Sequence, residues 1–115
     1  MKIPKPTETD KERFRALVPD DPRVEVKPMF ANLGAFVNGN MFMGLFGADV
    51  GVKLPRADID ALAKHEGTGP FGPAERPMGG YLTLPQRLLG TSDGARWIQR
   101  VLDQTAELPP KQSRR

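Results

Sequence analysis

The amino-acid sequence predicts a single α+β domain in which an antiparallel sheet is flanked by helices, and three observations carry that reading. Apolar and polar residues alternate through much of residues 24–54, the period of half-buried strands. An Asn38-Gly39 pair inside that stretch asks for a tight hairpin, because both residues tolerate positive φ. Segments near residues 9–18 and 92–107 instead space their apolar residues as helices do. At 115 residues the chain suits one domain and can bury one core without staples.

The first helix has two overlapping start signals. Thr7-Glu8-Thr9-Asp10 and Thr9-Asp10-Lys11-Glu12 both fit a capping box, in which hydroxyl and carboxylate satisfy reciprocal N–H groups. Phe14, Leu17 and Val18 form its apolar face, and Pro19-Asp20-Asp21-Pro22 stops it. Val24, Val26 and Phe30 then alternate with Glu25, Lys27 and Met29 as a strand. Pro28 has no donor, so this strand belongs at an edge or breaks there. Leu33 to Val37 and Asn40 to Phe46 flank the hairpin. A turn at Gly47-Ala48-Asp49 leads into Val50, Val52 and Leu54, completing a meander.

Pro55 suits a helix start and Gly67 its C-terminal cap, with Ile59, Leu62 and Ala63 as the apolar stripe. Residues 67–80 are dense in glycine and proline and read as a long loop, with a short strand at Phe71. A loop of that length is either a binding lip or a structural lid. Tyr81 to Leu84 make another strand, closed by Pro85. The last helix starts at Ser92 or Asp93, with Ser92 as its cap, and runs to Glu107, with Trp97, Ile98, Val101, Leu102 and Thr105 facing inward. These boundaries give an N-terminal tail at 1–8, a domain at 9–107 and a basic, Pro-rich tail at 108–115.

Several chemistries are excluded or disfavoured by the residues themselves. There are no cysteines, hence no disulfide, thiolate metal site or cysteine nucleophile. No secretory h-region and no membrane-length apolar run occur, so a cytoplasmic location without membrane contact is expected. Gly67-Thr68-Gly69-Pro70-Phe71-Gly72 matches G-x-G-x-x-G in letters. A dinucleotide site needs that pattern after a strand and before a helix, whereas here a helix precedes it and prolines follow. The lone histidine, His65, falls at a helix end, and Ser92 and Ser113 have no base beside them. Asp58 and Asp60 point to different helix faces and are no acid–base pair. The reading therefore assigns no catalytic residue, no cofactor and no metal.

The net charge of +3 invites a nucleic-acid reading. Yet Lys2, Lys5, Lys111, Arg114 and Arg115 lie in the ends; without them, 12 basic residues stand against 14 acids. Any nucleic-acid binding is expected to be weak and to come from those ends. The unusual feature is instead a Met/Phe stripe: Met29, Phe30, Met41, Phe42, Met43 and Phe46. Methionine and aromatic residues together suit adaptable contact surfaces, but core packing under helices on both faces is the stronger explanation. Met29, Phe30, Met41, Met43, Phe46 and Tyr81 are the candidate interaction surface, for a protein partner or for a second copy through sheet or sheet-edge contacts.

Lys27-Pro28-Met29-Phe30, Gly34 through Phe42, Val52-Lys53-Leu54, Pro70-Phe71, Pro77 through Pro85 and Trp97 together resemble the N-terminal domain of the TfoX/Sxy competence-regulator family. The resemblance spans residues 9–107. One departure is Ala31-Asn32, where members of that family usually carry glycines. A second is that the competence regulators continue into a helical domain, which this sequence does not include. The resemblance implies a secretion-chaperone-like α-β(3)-α-β(2)-α fold and supplies no catalytic motif. It points to a non-enzymatic interaction or regulatory module, with an accessory nucleic-acid-binding protein as the alternative reading and an enzyme as the third.

Overall fold

A computed structural model of the chain describes residues 5–29, 32–72 and 78–109. Helix α1 (Glu8–Leu17) is followed by strands β1 (Val24–Met29), β2 (Asn32–Val37), β3 (Asn40–Phe46) and β4 (Asp49–Lys53). Helix α2 (Arg56–Ala63), strands β5 (Gly69–Pro70) and β6 (Tyr81–Thr83), a 3₁₀ turn at Gln86–Leu88 and helix α3 (Ser92–Ala106) complete the chain. The six strands form one antiparallel sheet in the order β1-β2-β3-β4-β6-β5. The fold class is α+β, as expected, but four strands precede α2 where the family resemblance implied three. The additional strand is accommodated because β1 lies at the sheet edge, where Pro28 is tolerated and all six residues still pair with β2.

Of the two capping boxes in the sequence, the first is used. Thr7 N–H donates to Asp10 Oδ2 at 2.9 Å and Asp10 N–H donates to Thr7 Oγ1 at 3.0 Å. The Asn38-Gly39 turn adopts φ values of 54° and 79°, the doubly positive pattern of a type I′ hairpin. Just beyond the turn, β3 bulges: Phe36 pairs with Met41 and Ala35 with Met43, leaving Phe42 as the extra residue. Phe42 and Met43 both enter the core and are fully buried.

One face of the sheet carries that core. Leu33, Ala35, Val37, Leu45, Val50 and Val52 lie on it, and α3 crosses β2, β3 and β4 to cover them with Ile98, Val101 and Leu102. Phe14 of α1 and Leu62 of α2 join the same cluster. The α2 stripe is narrower than expected, with Leu62 buried, Ile59 half-buried and Ala63 exposed. Its other inward residue is Asp58, only 8% exposed. Arg100 of α3 grips that carboxylate through Nε at 3.0 Å and Nη2 at 2.9 Å, and Gln104 Nε2 donates to it at 2.7 Å. The hydrogen bonds from Arg100 and Gln104 hold the Asp58 carboxyl below the usual carboxylate range, outweighing its burial. This clamp fixes α2 against α3.

Two ends differ from expectation. Helix α2 stops at Ala63, short of Gly67, and Gly67 instead serves a following turn with φ near +98°. The cap of α3 is Thr91 rather than Ser92, its hydroxyl accepting from Gly94 N–H at 3.1 Å. Thr91 has the advantage that its Oγ1 also donates to the Leu88 carbonyl at 2.7 Å, tying the 3₁₀ turn to the helix.

Candidate aromatic face of the sheet

Among the described residues no helix packs on the opposite face of the sheet. Strand alternation and register place Lys27 and Met29, Gly34 and Phe36, Met41, Gly44 and Phe46, Gly51 and Lys53, and Tyr81 and Thr83 on it. Gly34 pairs with Gly44, Gly44 with Gly51 and Gly51 with Thr83, so three glycines make a trough across β2, β3 and β4. None of the three sits in a turn. Each is there because something lies close above it.

Phe71 fills the trough. A Cβ on Gly51 would collide with its ring, and one on Gly44 would touch the ring at 3.5 Å. The ring is 2% exposed, packs edge-on against Phe46 at 6.2 Å and stacks on Tyr81 at 6.0 Å. Over Gly34 lies the Met41 sulfur, which would stand 2.9 Å from an added Cβ. The backbone that delivers Phe71 turns sharply at Gly72, φ near +100°, and Met78 N–H returns to the Phe71 carbonyl at 2.8 Å. The described part of the Gly/Pro loop thus covers one end of this face.

Tyr81 locks the arrangement. Its hydroxyl donates to the Met41 carbonyl at 3.1 Å, beside the bulge where ladder pairing is interrupted. Burial pushes the Tyr81 phenol up to about 12, because ionisation would leave a charge against an aromatic cluster. Unfolded chain ionises near a pH of about 10, so the stabilising difference is complete below that value and is lost as pH rises through the folded one. Tyr81 is the sole tyrosine. Absorbance of tyrosinate should therefore titrate near 12 in the folded protein and near 10 in denaturant, with stability falling between the two.

The candidate residues divide cleanly. Met29, Met41, Phe46 and Tyr81 share the outer face and are half-buried against their neighbours. Met43 does not belong with them. It is fully buried on the helix-covered face, because the one-residue bulge at Phe42 reverses the alternation between Met41 and Met43. Phe30 lies outside the described residues. Phe36, with the Lys27 ammonium 4.8 Å from its ring centroid, and Phe71 belong to the face although neither was singled out. The signal for Phe71 was available in Gly44 and Gly51, glycines inside strands with no turn to serve.

A groove of about 830 Å³ between α2 and α3 contains His65, Trp97 and the Asp58–Arg100 clamp. His65 packs edge-on against Trp97 at 6.2 Å. Asp58 already accepts three hydrogen bonds, so its carboxylate is committed to holding the helices together. Among the described residues no cluster of three acidic or histidine side chains could hold a metal ion. Gly69-Pro70 of the glycine motif is a two-residue strand, and Ser113 lies outside the described residues. No helix among the described residues is long and apolar enough to cross a membrane.

The family model described as the TfoX N-terminal domain matches residues 12–105, most of the 115-residue chain. The chain belongs to that family. No curated protein and no solved structure matches it.

Proposed function

We propose that this domain is a non-enzymatic interaction module, related to competence regulators, that contacts a protein partner through the outer face of its sheet. The observation that carries the reading is the glycine trough with its aromatic rim. Phe36, Phe46 and Tyr81 stand half-buried around Phe71, which fills the trough, and no helix among the described residues packs over this face. Aromatic side chains on a rigid sheet offer large contact area, and the flexible methionines can adapt to a partner's shape. Asp58, the most buried carboxylate described, is engaged in holding α2 to α3.

The nucleic-acid reading is the weaker one. Among the described residues Lys11, Arg13, Arg23, Lys27, Arg96 and Arg100 each stand within ion-pair distance of a carboxylate, so half of the described basic side chains are already opposed by an acid. A pull-down from an extract of the source cells, with and without nuclease, separates the two. A catch that survives nuclease is the expected result. A catch that nuclease abolishes would replace this reading with the nucleic-acid one.

A further inference from the structure

Strand β1 is an edge, and its free side is self-complementary. We infer that two copies of this chain pair antiparallel along β1, centred on Val26, to join their sheets into one. The partner here is a second copy, and the surface is the sheet edge, which adjoins the aromatic face proposed above at Lys27.

The backbone directions come from the two hairpins. Asn38-Gly39 is a two-residue loop closed by Val37 and Asn40, so Val37 directs its N–H and C=O toward β3. Val24, opposite Val37, then directs its own groups away from β2. Its N–H does so, donating to Asp21 O at 2.9 Å. By alternation Val26 and Pro28 face the free edge as well. Pro28 therefore loses no bond to β2 by lacking a donor, which is how a six-residue strand tolerates it.

Register follows from charge. Glu25 and Lys27 flank Val26 on the outer face, both exposed, with Lys27 Nζ 3.8 Å from Glu25 Oε1 in the same strand. Pairing Val26 with Val26 of the second copy sets each Glu25 opposite a Lys27, twice by symmetry. A shift of two residues either way sets Glu25 against Glu25 or Lys27 against Lys27. A shift of one sets an edge-facing residue against one that faces β2. The centred register thus joins opposite charges, where its nearest alternatives oppose like ones. It also gives two reciprocal Val26 N–H to C=O hydrogen bonds and brings the half-buried Val26 side chains together on the inner face. Pro28 ends the ladder on each side. The interface is one short strand pair, at the small end of specific interfaces, so a weak, concentration-dependent dimer is expected.

Glu25 and Lys27 are exposed and can be changed without touching the core. Sedimentation of the full chain should show a concentration-dependent dimer. Glu25→Lys alone and Lys27→Glu alone should each weaken it about tenfold or more, by turning two attractive cross-strand pairs into repulsive ones. An equal mixture of the two variants should dimerise again, as should the double variant carrying both changes. A wild-type chain that stays monomeric at several hundred micromolar would overturn the proposal. So would a dimer indifferent to both single changes, or a mixture that fails to recover. Sedimentation of the purified chain reads the dimer alone, so each of these outcomes can be scored whether or not another protein binds the aromatic face, to which Lys27 also belongs.

Discussion

Gly51→Ala is expected to destabilise the domain by about 2–3 kcal/mol, and to do so only while Phe71 is present. The new methyl occupies the space of the Phe71 ring, in the middle of a sheet whose backbone cannot retreat from it. Elsewhere in a strand the same change would be mildly favourable, because glycine loses more backbone freedom on folding than alanine does. Phe71→Ala alone should cost about 3–5 kcal/mol, the range for emptying a buried phenylalanine site. In the double variant the alanine methyl meets no ring. Its stability should then match that of Phe71→Ala within about 0.5 kcal/mol, giving a coupling of about 2 kcal/mol or more. Denaturant melts of the four proteins give the cycle. Additive losses would mean that Phe71 does not occupy the trough.

The second large effect separates two methionines only two positions apart. Met43→Asp places a carboxylate in the core beside Val52 and Ala35, where it finds no cation, and removes a fully buried side chain. Loss of the methionine alone is worth about 2–5 kcal/mol, and desolvating the charge adds several more. Since domains of this kind are stable by only about 5–15 kcal/mol, Met43→Asp should be largely unfolded by circular dichroism. Met41→Asp stays on the outer face, half-buried, where a carboxylate can reach water. It should fold, with a loss of about 1–2 kcal/mol. Equal behaviour of the two variants would contradict the bulge that sets them on opposite faces.

That bulge also shows where sequence reading ran out. Strict alternation through residues 40–46 puts Met41 and Met43 on one face, and nothing in Asn40-Met41-Phe42-Met43 announces the extra residue that reverses it. The locally determined features were legible. Asn38-Gly39 fixes a hairpin from two residues, Thr7 and Asp10 satisfy each other three positions apart, and the inner rows of α3 follow from its period. What stayed hidden depends on distant partners. Asp58 reads only as one of two acids on different faces of a short helix, yet Arg100 and Gln104, more than 40 positions away, bring it inside. Phe71 reads as a short strand in a long Gly/Pro loop until the register of β3 and β4 sets Gly44 and Gly51 side by side beneath its ring. The outer face was thus half visible, as a stripe of methionine and phenylalanine whose side could not be assigned.

The central claim is that a protein partner meets the outer face, and site-specific photocrosslinking tests it most directly. A benzophenone side chain can replace Phe36 on that face and, as a control, Gln99 on the exposed side of α3. Both positions tolerate a bulky group without entering the core. After irradiation in nuclease-treated extract of the source cells, discrete protein adducts are expected from position 36 and not from position 99. Adducts confined to position 99 would place the contact on the helices and contradict the account.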